Sequence, residues 1–143
     1  MVAGELINIK EMDGIRFNKK ELIAILNIAH GMIDADGKTK EIELEVLLTQ
    51  MKRFGLDYDE FINLNESAIL EMDPRSAICI VSDMNTIQKQ YVQALLIIIM
   101  VSDGEIHERE MTLLRFVTIA CGLPPINMND INNTLNIFKN KTI

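Results

Sequence analysis

Apolar positions along the chain recur at three- and four-residue spacing, and polar breaks separate the runs. Leu22, Ile25, Leu26, Ala29, Met32 and Ile33 lie on one broad helical face. Asn18 opens that helix, and Glu21 three residues later completes a capping-box pattern. The helix is expected to run to about Ala35. A second helix opens near Lys40 and buries Leu44, Leu47, Leu48 and Met51. Asp57 with Glu60 repeats the capping box and starts a short helix. Asn65 to Met72 reads as another short helix. Asp73-Pro74 is a strong start for a helix to about Met84. Asn85-Thr86 opens the longest run, to about Ser102. It is apolar on most sides beyond Ala94, which places it at the centre. Met111, Leu113, Leu114, Val117, Ile119 and Ala120 pack the next helix. Gly122-Leu123-Pro124-Pro125 stops it. A final helix starts at Asn129 or Asp130 and carries Ile131, Leu135 and Phe138. No strand pair is visible. The pattern predicts an all-α protein of about seven helices in one domain spanning 1–143. The first 17 residues give no firm signal beyond a short helix around Glu5 to Met12.

The chain repeats itself. Asp36-Gly37 recurs as Asp103-Gly104, an offset of 67 residues. The same offset carries Glu41 to Glu108, Glu43 to Glu110, Leu47 to Leu114 and Gly55-Leu56 to Gly122-Leu123. Each copy reads as helix, Asp-Gly corner, helix, Gly-Leu stop. Two pseudo-symmetric helix pairs are therefore expected, with Gly37 and Gly104 taking left-handed backbone at the corners.

At these residues the chain resembles the TerB-like (tellurite-resistance-type) family, marked by two "(A/S)DG-x-(I/V)-x-x-x-E-x-x-x-L" corners and a Gly-Leu helix stop. Here the corners are Ala35-Asp36-Gly37 with Glu43 and Leu47, and Ser102-Asp103-Gly104-Glu105-Ile106 with Glu110 and Leu114. The resemblance covers about Asn18 to Pro125. Thr39 stands where the first corner usually has an apolar residue, and Lys40 and His107 stand where Ser or Asp is common. The resemblance implies a TerB-like helical bundle acting without turnover in tellurite or metal stress, in a bacterial cytoplasm. It also implies a protein partner, membrane-associated in systems of that type. Related domains accompany DnaJ-type co-chaperones, so a plain helical interaction domain is the other reading. This chain has no His-Pro-Asp motif.

The corners suggest a divalent cation. With Gly37 at the sixth place of a calcium loop, Asp34 and Asp36 fall at the third and fifth and Glu43 at the twelfth. Asp103 and Glu110 take the fifth and twelfth places in the second copy. The first places are Met32 and Ile99, so neither loop is a complete EF-hand. Asp34, Asp36, Glu43, Asp103 and Glu110 could instead pool their carboxylates around calcium or magnesium. His30 and His107 would shift the preference toward zinc. The competing reading is structural. With Lys40 and His107 as N-caps, Glu43 and Glu110 sit where a capping-box Glu belongs, and Asp36 and Asp103 accept bonds within the turn.

Composition narrows the classes. The chain has 143 residues, 48% hydrophobic and 24% charged, which is globular. Its net charge of −7 argues against nucleic acid as a partner. Cys79 and Cys121 have no CxxC spacing and are expected as reduced thiols. Met1 to Lys10 does not read as a signal peptide, and the apolar run Ala94 to Val101 is too short to insert in a membrane. No nucleotide, hydrolase or zinc-protease motif appears, so no catalytic residue is assigned. The nine methionines read as core filler; exposed Met32, Met51 or Met84 would instead mark a groove.

Overall fold

A computed structural model describes residues 16–35, 41–53 and 55–141. Among them are seven helices and no strand: α1 (Lys19–Ile33), α2 (Glu41–Lys52), α3 (Tyr58–Leu70), α4 (Pro74–Ser82), α5 (Thr86–Val101), α6 (Glu108–Cys121) and α7 (Met128–Lys141). The all-α expectation holds. The starts of α1 and α5, and of α2 and α6, keep the 67-residue offset: Lys19 to Thr86, and Glu41 to Glu108.

Local chemistry sets the starts. Asn18 Oδ1 accepts from the Glu21 amide at 2.8 Å, and Glu21 returns the bond at 2.9 Å. Asp57 with Glu60 and Asn85 with Gln88 form the same reciprocal box. Each box satisfies two amides that a helix start leaves orphaned. Asp73 caps α4, with Pro74 at its first position. Hydrogen bonds from Ser76 and the Arg75 amide hold the Asp73 carboxyl below its ordinary range.

Two expected boundaries shift. The stretch from Asp57 to Met72 holds a single helix, Tyr58–Leu70, not two. Asn27 Nδ2 donates to Ala68 O and Met72 O, both at 2.8 Å, and so satisfies the carbonyls at the end of α3. His30 bonds Asn65 Oδ1 one turn earlier. These long-range ties carry the helix through its polar middle. The last helix starts at Met128, because Asn127 Oδ1 accepts from the amides of Asn129 and Asp130.

α1 and α5 form the centre. α1 packs against α2, α3, α4, α5 and α6; α5 packs against α1, α2, α6 and α7. From Leu95 to Val101 every residue of α5 is buried. Met32, Met51 and Met84 are also buried, so the methionines named as a groove are core. Phe17 stacks at a tilt on buried Tyr91, centroids 5.5 Å apart.

The buried stripes differ from expectation in both repeated helices. In α2 Leu47 and Met51 are buried but Leu44 and Leu48 only half so; Glu43 and Gln50 are inside. In α6 Glu110 and Cys121 are buried, while Ile119 is 83% exposed and Ala120 is exposed. Gly122, φ 68°, ends α6, and the Leu123 amide reaches back to Thr118 O at 2.9 Å. No helix among the described residues is long and apolar enough to cross a membrane.

Leu95→Ala should cost about 2–5 kcal/mol in urea unfolding, the usual range for a fully buried leucine. Both cysteines are free; Cys79 is exposed and Cys121 buried. A thiol reagent should label Cys79 in the native chain and reach Cys121 only on unfolding. Burial pushes the Cys121 thiol up from 9.0 to about 11. Between those values the unfolded state binds fewer protons than the folded one, so stability should fall as pH rises through that window. Cys121→Ala should remove that component of the alkaline loss.

Candidate functional site

The second corner begins where α5 ends. Ser102 is fully buried and bonds Ile99 O through its hydroxyl at 2.8 Å. The Gly104 amide reaches Val101 O at 2.9 Å, and Gly104 takes φ 86°. That left-handed backbone is the expected corner conformation, strained for any side chain bearing a Cβ. The corresponding Gly37 lies outside the described residues.

Past the glycine, alternate residues turn to one side. Asp103 Oδ1 accepts from the Glu105 amide at 3.1 Å. His107 Nε2 lies 2.7 Å from Asp103 Oδ2 and 3.9 Å from Glu105 Oε2. Asp103, Glu105 and His107 each offer a ligand atom, all within 4.8 Å of one another. Asp103 and His107 are partly sheltered, with side chains 19% and 27% exposed, while Glu105 is 75% exposed. Gly104, Glu105 and His107 also line an open recess of about 520 Å³ with Leu135 and Lys139 of α7.

The residues named from sequence are distributed as follows. Asp34 is an exposed C-cap of α1, its amide bonded to His30 O. Asp36 lies outside the described residues. Glu43 and Glu110 are each 1% exposed, well inside the bundle. Neither belongs to the three-residue group at the corner, which retains Asp103 and takes in His107. His30 is half-buried and tied to Asn65 rather than to a carboxylate corner.

His107 is the N-cap of α6, as expected, but makes no side-chain cap bond. Glu105 was missed. Its counterpart one repeat earlier is Lys38, so a comparison of the two copies hides it. The available signal was Asp103-x-Glu105-x-His107 within the second copy alone, an alternation that puts three donors on one side of a short irregular segment.

Two carboxylates and an imidazole fit a divalent cation of borderline softness, such as zinc, better than an all-oxygen calcium loop. The protein supplies three donors, and the recess leaves room for water in the remaining positions. Binding would replace the Asp103–His107 hydrogen bond at the same atoms.

This is a class of small all-helical protein with a donor-bearing Asp-Gly corner between two core helices. Among solved structures it is similar to a protein of unknown function, PG1108, from Porphyromonas gingivalis. The two are 31% identical with a TM-score of 0.72, over 85% of this chain and 98% of that one. The chain belongs to the same family as PG1108. No protein-family model and no curated protein matches it.

Gly104→Val should destabilise the chain by at least about 1 kcal/mol. The cause is the positive φ, because the nearest atom to an added Cβ is Lys139 Cγ at 3.9 Å, an ordinary contact. A melting curve matching the parent would show that this turn does not depend on left-handed backbone.

Proposed function

We propose that the protein is a non-enzymatic, TerB-like helical module that holds a divalent cation at the Asp103 corner in the cytoplasm, in a metal- or tellurite-stress setting. The observation that carries the cation is the convergence of Asp103, Glu105 and His107 ligand atoms within 4.8 Å. The stress setting comes from the paired Asp-Gly corners and their Gly-Leu stops. Two free thiols suit a reducing compartment. Zinc is the ion this donor set favours. The pooled carboxylate set read from sequence, with Asp34, Asp36, Glu43 and Glu110, would favour calcium or magnesium.

A second reading has its own support. Asp103 already accepts from the Glu105 amide and pairs with His107. Those bonds suffice to build a turn into α6. On that reading the chain is a plain interaction domain of the co-chaperone-associated kind, and its corners shape the bundle only.

Thermal melting of chelator-treated protein, titrated with zinc, manganese, calcium and magnesium, separates the two. A native-state site at about 100 times its Kd contributes about 2.7 kcal/mol. For a chain of this size that is a rise of roughly 5–10 °C. The expected result is saturable stabilisation by zinc that Asp103→Asn with His107→Ala removes. Stabilisation by calcium that Asp36→Asn removes would assign the pooled set instead. A melting temperature indifferent to every ion would leave the corner as a turn.

A further inference from the structure

We propose that the outward face of α6 is a docking strip for an acidic amphipathic helix of a partner protein. The inference rests on the interaction reading and does not depend on an ion at the Asp103 corner. The inner face of α6 is spoken for: Glu110, Met111, Leu114, Val117 and Cys121 are buried, and the helix packs against α1, α4 and α5. On the outer face Phe116 is 57% and Ile119 83% exposed. A lone exposed apolar residue is ordinary. These two follow Arg109 and Thr112 at steps of three, four and three residues, the spacing of a two-helix seam. The strip thus runs along nearly the whole helix and ends in its most apolar side chains.

Charge identifies the occupant. The chain carries 21 acidic and 14 basic residues, yet this face is locally positive. Arg109 lies on the seam and Arg115 beside it, both exposed. Neither forms an ion pair among the described residues. Lys89 brings its amine to the C-terminal end, 3.4 Å from where a Cβ on Gly122 would stand. Glu108 is the one acid on the exposed face, at the helix start, where the helix dipole favours it. Carboxylates flanking an apolar stripe on a second helix would meet Arg109, Arg115 and Lys89 while covering Phe116 and Ile119. A second copy of this chain fits less well, because two arginine-bearing strips and two charges of −7 repel. An anionic membrane would meet the net charge of −7 over a wide surface, whereas a single helix meets only the strip.

The test uses the isotope-labelled full chain in chelator, so that any ion at the corner is removed from the result. The probe is a helical peptide with Leu at seam positions and Glu on both flanks. Controls are the same peptide with Lys flanks, and phosphatidylserine vesicles. The acidic peptide should shift backbone amides along 109–120 saturably, and less so at high salt. Binding should weaken about tenfold or more with the Lys-flanked peptide or with Phe116→Ala/Ile119→Ala, changes at exposed positions that leave the core intact. Arg115→Glu should move the preference toward the Lys-flanked peptide. Amides along the strip that stay unmoved, equal binding of both peptides, or capture by vesicles in place of the acidic peptide would each overturn the proposal. A chain that binds the peptide but is indifferent to every ion would keep the strip and lose the cation, and the reverse outcome would lose only the strip.

Discussion

The structure depends on burying α5 on every side. Leu95 to Val101 have no solvent face, so α5 must be jacketed by α1, α2, α6 and α7. A helix apolar all round is stable only inside such a jacket. Its last carbonyls are then deep in the protein, and the chain must leave the core within a few residues. Ser102 and the Gly104 amide take the carbonyls of Ile99 and Val101, and Gly104 supplies the sharp exit. Asp103, Glu105 and His107 are brought together because the chain turns there from a buried helix to the start of α6. The candidate site is a consequence of how the core ends.

Much of the fold was legible because helix starts are local chemistry. Asn18, Asp57, Asp73 and Asn85 each cap the helix they were expected to cap, and three of them form full capping boxes. The left-handed glycine at 104 was legible for the same reason: only glycine takes that backbone at low strain. What sequence missed was tertiary. The polar middle of α3 read as a break, and Asn27 and His30 reach across from α1 to hold it helical. The phase of α6 was read from its apolar residues. The structure sets it so that Glu110 is inside and Phe116 and Ile119 are outside. An apolar residue count cannot find that phase, since the helix buries a carboxylate and exposes two of its largest side chains.

The two copies share where helices begin but not what the corners carry. Glu43 and Glu110, identical in sequence, are both buried. A buried carboxylate is costly unless its charge is met, so these positions belong to the architecture of each helix start more than to its surface. The donors at the second corner, Glu105 and His107, face lysines at the matching places of the first. The 67-residue offset therefore extends to the helix starts, while the residues that distinguish the Asp103 corner occur in one copy only. Sequence reasoning that sought what the copies have in common was directed to the structural carboxylates and away from Glu105.

The pairing of Asp103 with His107 decides how strongly that corner can hold a cation. Asp103 follows the C-terminal end of α5, where the helix dipole disfavours an anion. The His107 imidazole, its Nε2 2.7 Å from Asp103 Oδ2, gives that carboxylate a hydrogen-bond partner without any ion. A metal must displace that hydrogen bond at the same atoms, and Glu105, three-quarters exposed, gives up little solvation to join it. The Asp103 carboxylate is thus partnered in either case, by the imidazole or by a cation. That makes the corner stable as a turn in its own right, and makes any metal affinity a measure of how far a cation outdoes the hydrogen bond it replaces.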